Sequence, residues 1–146
     1  MFKHILISTD GSAAANKSAK AGVALAHALG AKVTAYCSVG PILPIFAEGY
    51  AFDQKTIDGF EQSAREAGQK HVDAIARIAK AARVPFASVV TNAVTAYEGI
   101  LETAKKQKCD AIVMGSHGRR GFSRLIMGSV TQSVLAHTKL PVVVFR

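Results

Sequence analysis

Five short aliphatic runs, within 4–9, 32–39, 84–91, 109–115 and 140–146, are separated by four stretches of helical character. This alternation constrains the fold more than any other feature. Antiparallel strands can be joined by tight turns, whereas parallel strands need a crossover, which is usually a helix. The runs are aliphatic throughout rather than alternately apolar and polar, the pattern of strands covered on both faces. The expectation is an α/β fold: a single doubly wound, open, parallel five-stranded sheet, Rossmann-like, with helices on both faces.

The intervening stretches carry helix signals of their own. Asp10-Gly11-Ser12 ends the first run with turn and helix-start chemistry, and Ala19, Val23, Ala26 and Leu29 then share a face until Gly30 stops the helix. Ile57, Phe60, Ala64, Ala67, His71, Ile75, Ile78 and Ala82 recur with a helical period over a long element. Thr95 and Glu98 have the spacing of a capping box, ahead of inward-facing Ile100, Leu101 and Ala104. A short last helix is expected from about Ser129, where Ser129 and Gln132 form a second capping-box pattern. The connection from Gly40 to Phe52 is long and apolar; it is expected either to pack on its own Phe46, Tyr50 and Phe52 or to act as a lid over a site.

Bulk properties exclude some classes of function. The 146 residues suit one domain, spanning 1–146, that buries roughly 68–70% of the surface its unfolded chain exposes. No stretch approaches the roughly 18 apolar residues of a membrane span, and the N-terminus lacks a signal-peptide core, so a cytoplasmic location without membrane contact is expected. Cys37 and Cys109 have no metal-ligand or CxxC spacing and are expected to be reduced, half-buried packing residues. The net charge of +8 is spread over helical faces, which disfavours nucleic acid as a partner; only Arg119, Arg120 and Arg124 cluster.

That cluster lies in GSHGRRGFSRLIMGS, from Gly115 to Ser129, between the fourth run and the last helix. Ligands of open α/β sheets bind outside the carboxyl ends of the strands, where the strand order reverses. Glycine lets a backbone N–H approach an anion closely, and a helix N-terminus adds partial positive charge. The stretch matches no P-loop, no G-x-G-x-x-G and no G-x-S-x-G. Two readings stay open on these residues: a phosphate cradle, which is favoured, and a decorated connecting loop.

Gly115-x2-Gly118-x9-Gly128-Ser129 resembles the G-x2-G-x9-G-[ST] nucleotide-binding signature of the universal stress protein family. The similarity extends over an aspartate closing the first strand, a long second helix, DAIVMGSHGRRG, LIMGSVTQSVLAHT and a terminal PVVVFR. It implies an ATP-binding member, with Mg2+ accompanying the nucleotide. By the same resemblance Asp10 would lie near ribose and adenine, Ser38 and Val39 would contact adenine, and Met114 and Gly115 would line the ribose. Gly118, Gly128, Ser129, Val130 and Thr131 would hold the phosphates, with Arg119, Arg120 or Arg124 reaching outer oxygens. Where the family commonly has a histidine before the valine ending the second strand, this chain has Cys37 and Ser38. The resemblance also implies a homodimer paired through Val142 to Phe145, and an edge strand there is a physical reason to expect pairing.

Catalytic constellations are sparse. Asp10 is the one carboxylate assigned to the site, and His117 is either a recruitable base or a loop-fixing hydrogen-bond partner. His4, His27, His71 and His137 are read as structural. The expected function is a nucleotide-dependent regulatory module of the stress response, acting on an unidentified protein partner with little or no hydrolysis. The alternatives are a module that binds protein or nucleic acid without nucleotide, and a slow ATPase.

Overall fold

A computed structural model describes residues 1–40, 53–117 and 127–146. Nine elements follow in the expected alternation: β1 (His4–Ser8), α1 (Ala13–Leu29), β2 (Lys32–Val39), α2 (Gln54–Ala81), β3 (Phe86–Asn92), α3 (Ala96–Lys106), β4 (Ala111–Gly115), α4 (Ser129–His137) and β5 (Val142–Phe145). The strands form one parallel sheet in the order β3-β2-β1-β4-β5. The chain winds outward from β1 to β3, then crosses back to lay β4 and β5 on the other side of β1. Strand order therefore reverses between β1 and β4.

Period-two alternation along each strand divides the core. Ile5, Ile7, Val33, Ala35 and Cys37 meet Ala19, Val23 and Ala26 of α1 and Val72, Ile75 and Ala79 of α2. Leu6, Tyr36, Ile112 and Met114 face the other way, against Ile100 and Ala104 of α3 and Val134 of α4. All are buried, and each large aliphatic among them contributes about 1.5–3 kcal/mol by leaving water. Small residues let helices approach the sheet: the Tyr36 hydroxyl, bonded to the Thr91 hydroxyl at 2.9 Å, lies where a Cβ on Gly99 would stand. Both cysteines are fully buried rather than half-buried, and burial pushes the Cys109 thiol up to about 11.

Element ends show where local chemistry decided and where it was overruled. Ser12 caps α1, its Oγ accepting the Ala15 N–H at 3.2 Å, and Gly30 closes the helix with φ +63°. The long helix spans Gln54–Ala81 rather than 57–82, because Asp53 caps it by accepting the Thr56 N–H at 2.7 Å. Those bonds from Thr56 hold the Asp53 carboxyl below its usual range. β3 begins at Phe86 instead of Val84, whose N–H is spent on the Ala79 carbonyl at the end of α2. Thr95 is the N-cap of α3, yet the expected capping box is absent: its hydroxyl donates to the Glu98 carboxylate at 2.6 Å and makes no cap bond. Residues 41–52 of the expected lid lie outside the described residues.

At the end of the sheet away from the strands' carboxyl ends, the Asp110 carboxylate accepts the N–H groups of Lys3 at 2.8 Å and His4 at 3.0 Å. Desolvation opposes its ionisation, but the backbone donors of His4 and Lys3 outweigh it and hold the carboxyl below the usual range. The neighbouring His4 ring is 6% exposed, with Nε2 bonded to Thr34 Oγ1 at 2.8 Å and Nδ1 buried without a partner. Burial, reinforced by Lys32, depresses its pKa.

Two predictions follow from this packing. Gly99→Ala forces the Tyr36 hydroxyl aside and lowers stability by about 1–3 kcal/mol in urea unfolding, part of which Tyr36→Phe restores. Because His4 is held neutral, the unfolded chain binds more protons than the folded one once pH falls below about 6.5. Stability is therefore present above that value and declines as pH drops towards the depressed folded pKa. Urea midpoints from pH 7.5 to 5 should show this decline in the wild type and a flatter profile in His4→Gln.

Candidate functional site

Two connections leave the carboxyl ends of the strands that flank the reversal. The first follows β1. Asp10 Oδ1 accepts the Ser12 N–H at 3.0 Å, and Thr9 Oγ1 accepts the Gly11 N–H at 3.1 Å, folding the chain tightly into α1. Gly11 sits at φ +78°, a conformation that L side chains rarely adopt, and the His71 ring from α2 occupies the space a Cβ would need. Asp10 and Ser38 each follow by two residues the paired Ser8 and Tyr36, towards the carboxyl ends of β1 and β2.

The second connection follows β4. Gly115 leaves little room for a side chain: a Cβ there would lie 3.3 Å from the His117 carbonyl oxygen and 3.4 Å from the Ala14 backbone. Its carbonyl accepts the Thr131 hydroxyl at 3.0 Å, and the next carbonyl, of Ser116, accepts the Gly128 N–H at 2.8 Å. These two bonds clamp the start of α4 against the end of β4. They set the helix N-terminus beside the reversal.

The N-cap of α4 is Gly128, not Ser129, and glycine has no side chain with which to cap it. The Ser129–Gln132 pattern fails because Ser129 is already helical, while Gln132 Nε2 donates to the Met127 carbonyl at 2.7 Å. The first intrahelical bond runs from the Gln132 N–H to the Gly128 carbonyl at 3.0 Å, so the N–H groups of Ser129, Val130 and Thr131 precede it. Ser129 and Val130 are exposed. An uncapped helix N-terminus of this kind carries partial positive charge and offers several donors to one anion. At α1, by contrast, the Ser12 hydroxyl already accepts one of the corresponding N–H groups, that of Ala15.

The sequence-assigned residues divide accordingly. Asp10, Ser38, Gly115, Gly128, Ser129, Val130 and Thr131 gather at the carboxyl edge around the reversal. Met114 does not present its side chain there: it is 4% exposed and packed with Leu6, Tyr36 and Val134, which leaves only its backbone for a ligand. Thr131 contributes its N–H, its hydroxyl being committed to Gly115. The Val39 carbonyl takes the Ala93 N–H at 3.3 Å. Gly118 and Arg119, with Arg120 and Arg124, lie outside the described residues. Sequence reasoning passed over Ser116, which is 2% exposed and hydrogen-bonded through Oγ to His117 Nδ1 at 2.8 Å. His117 Nε2 is buried and unpartnered, at a cost of about 1–3 kcal/mol. The available signal was a hydroxyl beside an imidazole directly after a strand.

The model of the universal stress protein family matches residues 1–146. The chain belongs to that family. Among curated members, the universal stress protein MJ0531 of Methanocaldococcus jannaschii is 31% identical over 148 residues, covering 100% of this chain and 83% of the relative. Among solved structures, protein MJ0577 of the same organism superposes with a TM-score of 0.83 at 22% identity, covering 99% of this chain and 95% of its own. A universal stress protein family protein from Arabidopsis thaliana with AMP bound superposes with a TM-score of 0.68 at 11% identity, covering 98% and 90%. This universal stress protein thus shares the parallel five-stranded architecture with both. Among the described residues no helix is long and apolar enough to cross a membrane, and no three His, Cys, Asp or Glu side chains are placed to hold a metal ion.

The clamp is testable through Thr131→Val, which keeps the shape and removes the hydroxyl. Stability should fall by about 1–2 kcal/mol in urea unfolding, because the Gly115 carbonyl loses its partner.

Proposed function

We propose that this universal stress protein binds ATP, with its Mg2+, across the sheet reversal, and that occupancy rather than turnover is its regulatory output. The observation that carries the proposal is the first turn of α4: a glycine N-cap without a side chain, three N–H groups ahead of the first intrahelical bond, and a position fixed beside the end of β4. Phosphate meets both needs of such a terminus, negative charge and several acceptor oxygens. In this reading Gly128, Ser129, Val130 and Thr131 hold the phosphates, Gly115 and the Met114 backbone border the ribose, and Asp10, Ser38 and Val39 lie towards the base. Gly118 and Arg119 complete the cradle. Mg2+ arrives coordinated by the phosphates. The adenine nucleotide bound by the Arabidopsis relative supports the same ligand class.

The proposal extends to assembly. β5 is an edge strand whose four residues, Val142–Phe145, are each partly exposed, and pairing it with a second copy would cover an open row of backbone groups. A homodimer through this strand, signalling to an unidentified protein partner, is the form we assign. Two buried cysteines without CxxC or metal-ligand spacing fit a reducing compartment, and we place the protein in the cytoplasm.

Gly128→Val tests the ligand. Gly128 has φ −61° and ψ 148°, a region valine adopts readily, so the variant should fold with a near-unchanged melting temperature. Its side chain stands at the helix terminus and should lower ATP affinity at least tenfold by calorimetry. A folded variant binding ATP as tightly as the wild type would contradict the proposal.

A further inference from the structure

From Ala111 to Arg146 the sequence contains no Asp or Glu. The carboxylates just upstream are already engaged: Glu98 accepts the Thr95 hydroxyl at 2.6 Å, Glu102 pairs with Lys106 at 3.2 Å, and Asp110 accepts the N–H groups of Lys3 and His4. Lys105, Lys108 and Lys139 are exposed, and among the described residues none of them has a carboxylate partner. All three line one groove of about 310 Å³. Its floor is apolar: Ala104 is 1% exposed, and Leu101 and Leu140 pack, partly buried, against the core. The His137 ring also lines it, pinned by Nδ1, which donates to the Ser133 carbonyl at 2.8 Å, and by Tyr97 at 5.1 Å between ring centroids. Lys108 holds φ +55°, where glycine would carry no penalty. Arg83 ends α2 in the same way, so it is the groove shared with Lys105 and Lys139, not the backbone, that marks Lys108.

The groove joins the end of α3 to the connection between α4 and β5, just ahead of β4 and β5 in the chain. It therefore lies at the amino ends of those strands, away from the carboxyl ends where the nucleotide site is proposed. We infer that it is the docking site for an acidic peptide segment of a protein partner, an apolar side chain of about leucine size filling the floor and flanking carboxylates pairing with Lys105, Lys108 and Lys139. The inference names the chemistry of the partner assigned above and rests on that reading only for there being such a partner. Uncompensated cations around an apolar floor call for both chemistries in one ligand: opposite charge steers the partner and fixes its register, and an apolar anchor supplies buried area. The volume is at the lower end of ligand cavities, which suits an anchoring side chain better than a whole cofactor. A nucleic-acid backbone would meet the lysines but leave the floor unfilled.

The test uses the whole protein and a fluorescein-labelled peptide with a central leucine flanked on each side by glutamates, its binding read by anisotropy at low salt. The wild type should bind it, and replacing the glutamates by glutamine, or the leucine by serine, should weaken binding by about tenfold or more. Lys105→Glu and Lys139→Glu should each weaken it about fivefold, while Lys106→Glu, the same charge change beside the groove but not lining it, should leave it within about twofold. Lys108→Gly relieves the φ of +55°, so its melting temperature should hold or rise while peptide affinity falls about threefold. ATP affinity should be unchanged in all four variants, which separates failure here from failure of the nucleotide site. A wild type that binds no acidic peptide, or folded Lys105→Glu and Lys139→Glu variants that bind it as tightly as Lys106→Glu, overturns the inference. So does short duplex DNA held more tightly than the peptide through the same lysines, or a loss of dimer mass in sedimentation on Lys139→Glu, which would assign the groove to a second copy.

Discussion

The return of the chain at the end of β4 is held by two hydrogen bonds, Thr131 hydroxyl to Gly115 carbonyl and Gly128 N–H to Ser116 carbonyl. The placement of the proposed nucleotide site depends on them. They connect residues 12 and 16 apart in sequence, across a connection too long to orient a helix by itself, and they aim the start of α4 at the gap between β1 and β4. Without that aim α4 would still be an amphipathic cover for Leu6 and Ile112, but its N-terminus would have no fixed relation to the sheet. The core on that face, with Val134 fully buried, supports the same placement from the helix's other flank.

Two helix N-termini meet at the reversal, and they are treated differently. That of α1 has a side-chain cap, the Ser12 hydroxyl taking the Ala15 N–H, with the turn at Asp10 closed just before it. That of α4 begins with glycine and has no side-chain cap. A glycine cap costs roughly a few tenths of a kcal/mol against a serine. α3 also starts without a side-chain cap bond, but the glycine start of α4 is the one that stands at the reversal, where an anion could take its N–H groups.

Much of the architecture was legible in the residues because it rests on local and periodic signals. The aliphatic runs located all five strands, Ser12 and Gly30 bounded α1, and the glycine spacing pointed to the β4–α4 connection. What was not legible depends on contacts remote in sequence. Ser129 and Gln132 satisfy a capping-box pattern, yet the N–H of Gly128 is claimed by Ser116, which leaves Gly128 extended as the cap and draws Ser129 into the helix. Thr95 likewise occupies the expected position but spends its hydroxyl on Glu98. Met114 is adjacent to the glycines and so invited a ligand role, whereas strand alternation turns its side chain into the core opposite. The fit of His71 against Gly11 joins α2 to the β1 turn, and no spacing along the chain announces it.

The central claim is that the uncapped first turn of α4 is the anion seat, and backbone amide spectra taken during an ATP titration test it most directly. The amides of Ser129, Val130 and Thr131 should shift most, while those of Ala13, Ala14 and Ala15 in the capped turn of α1 should change little. Shifts absent from α4, or centred instead on the separate groove lined by Lys105, Lys108 and Lys139, would contradict it.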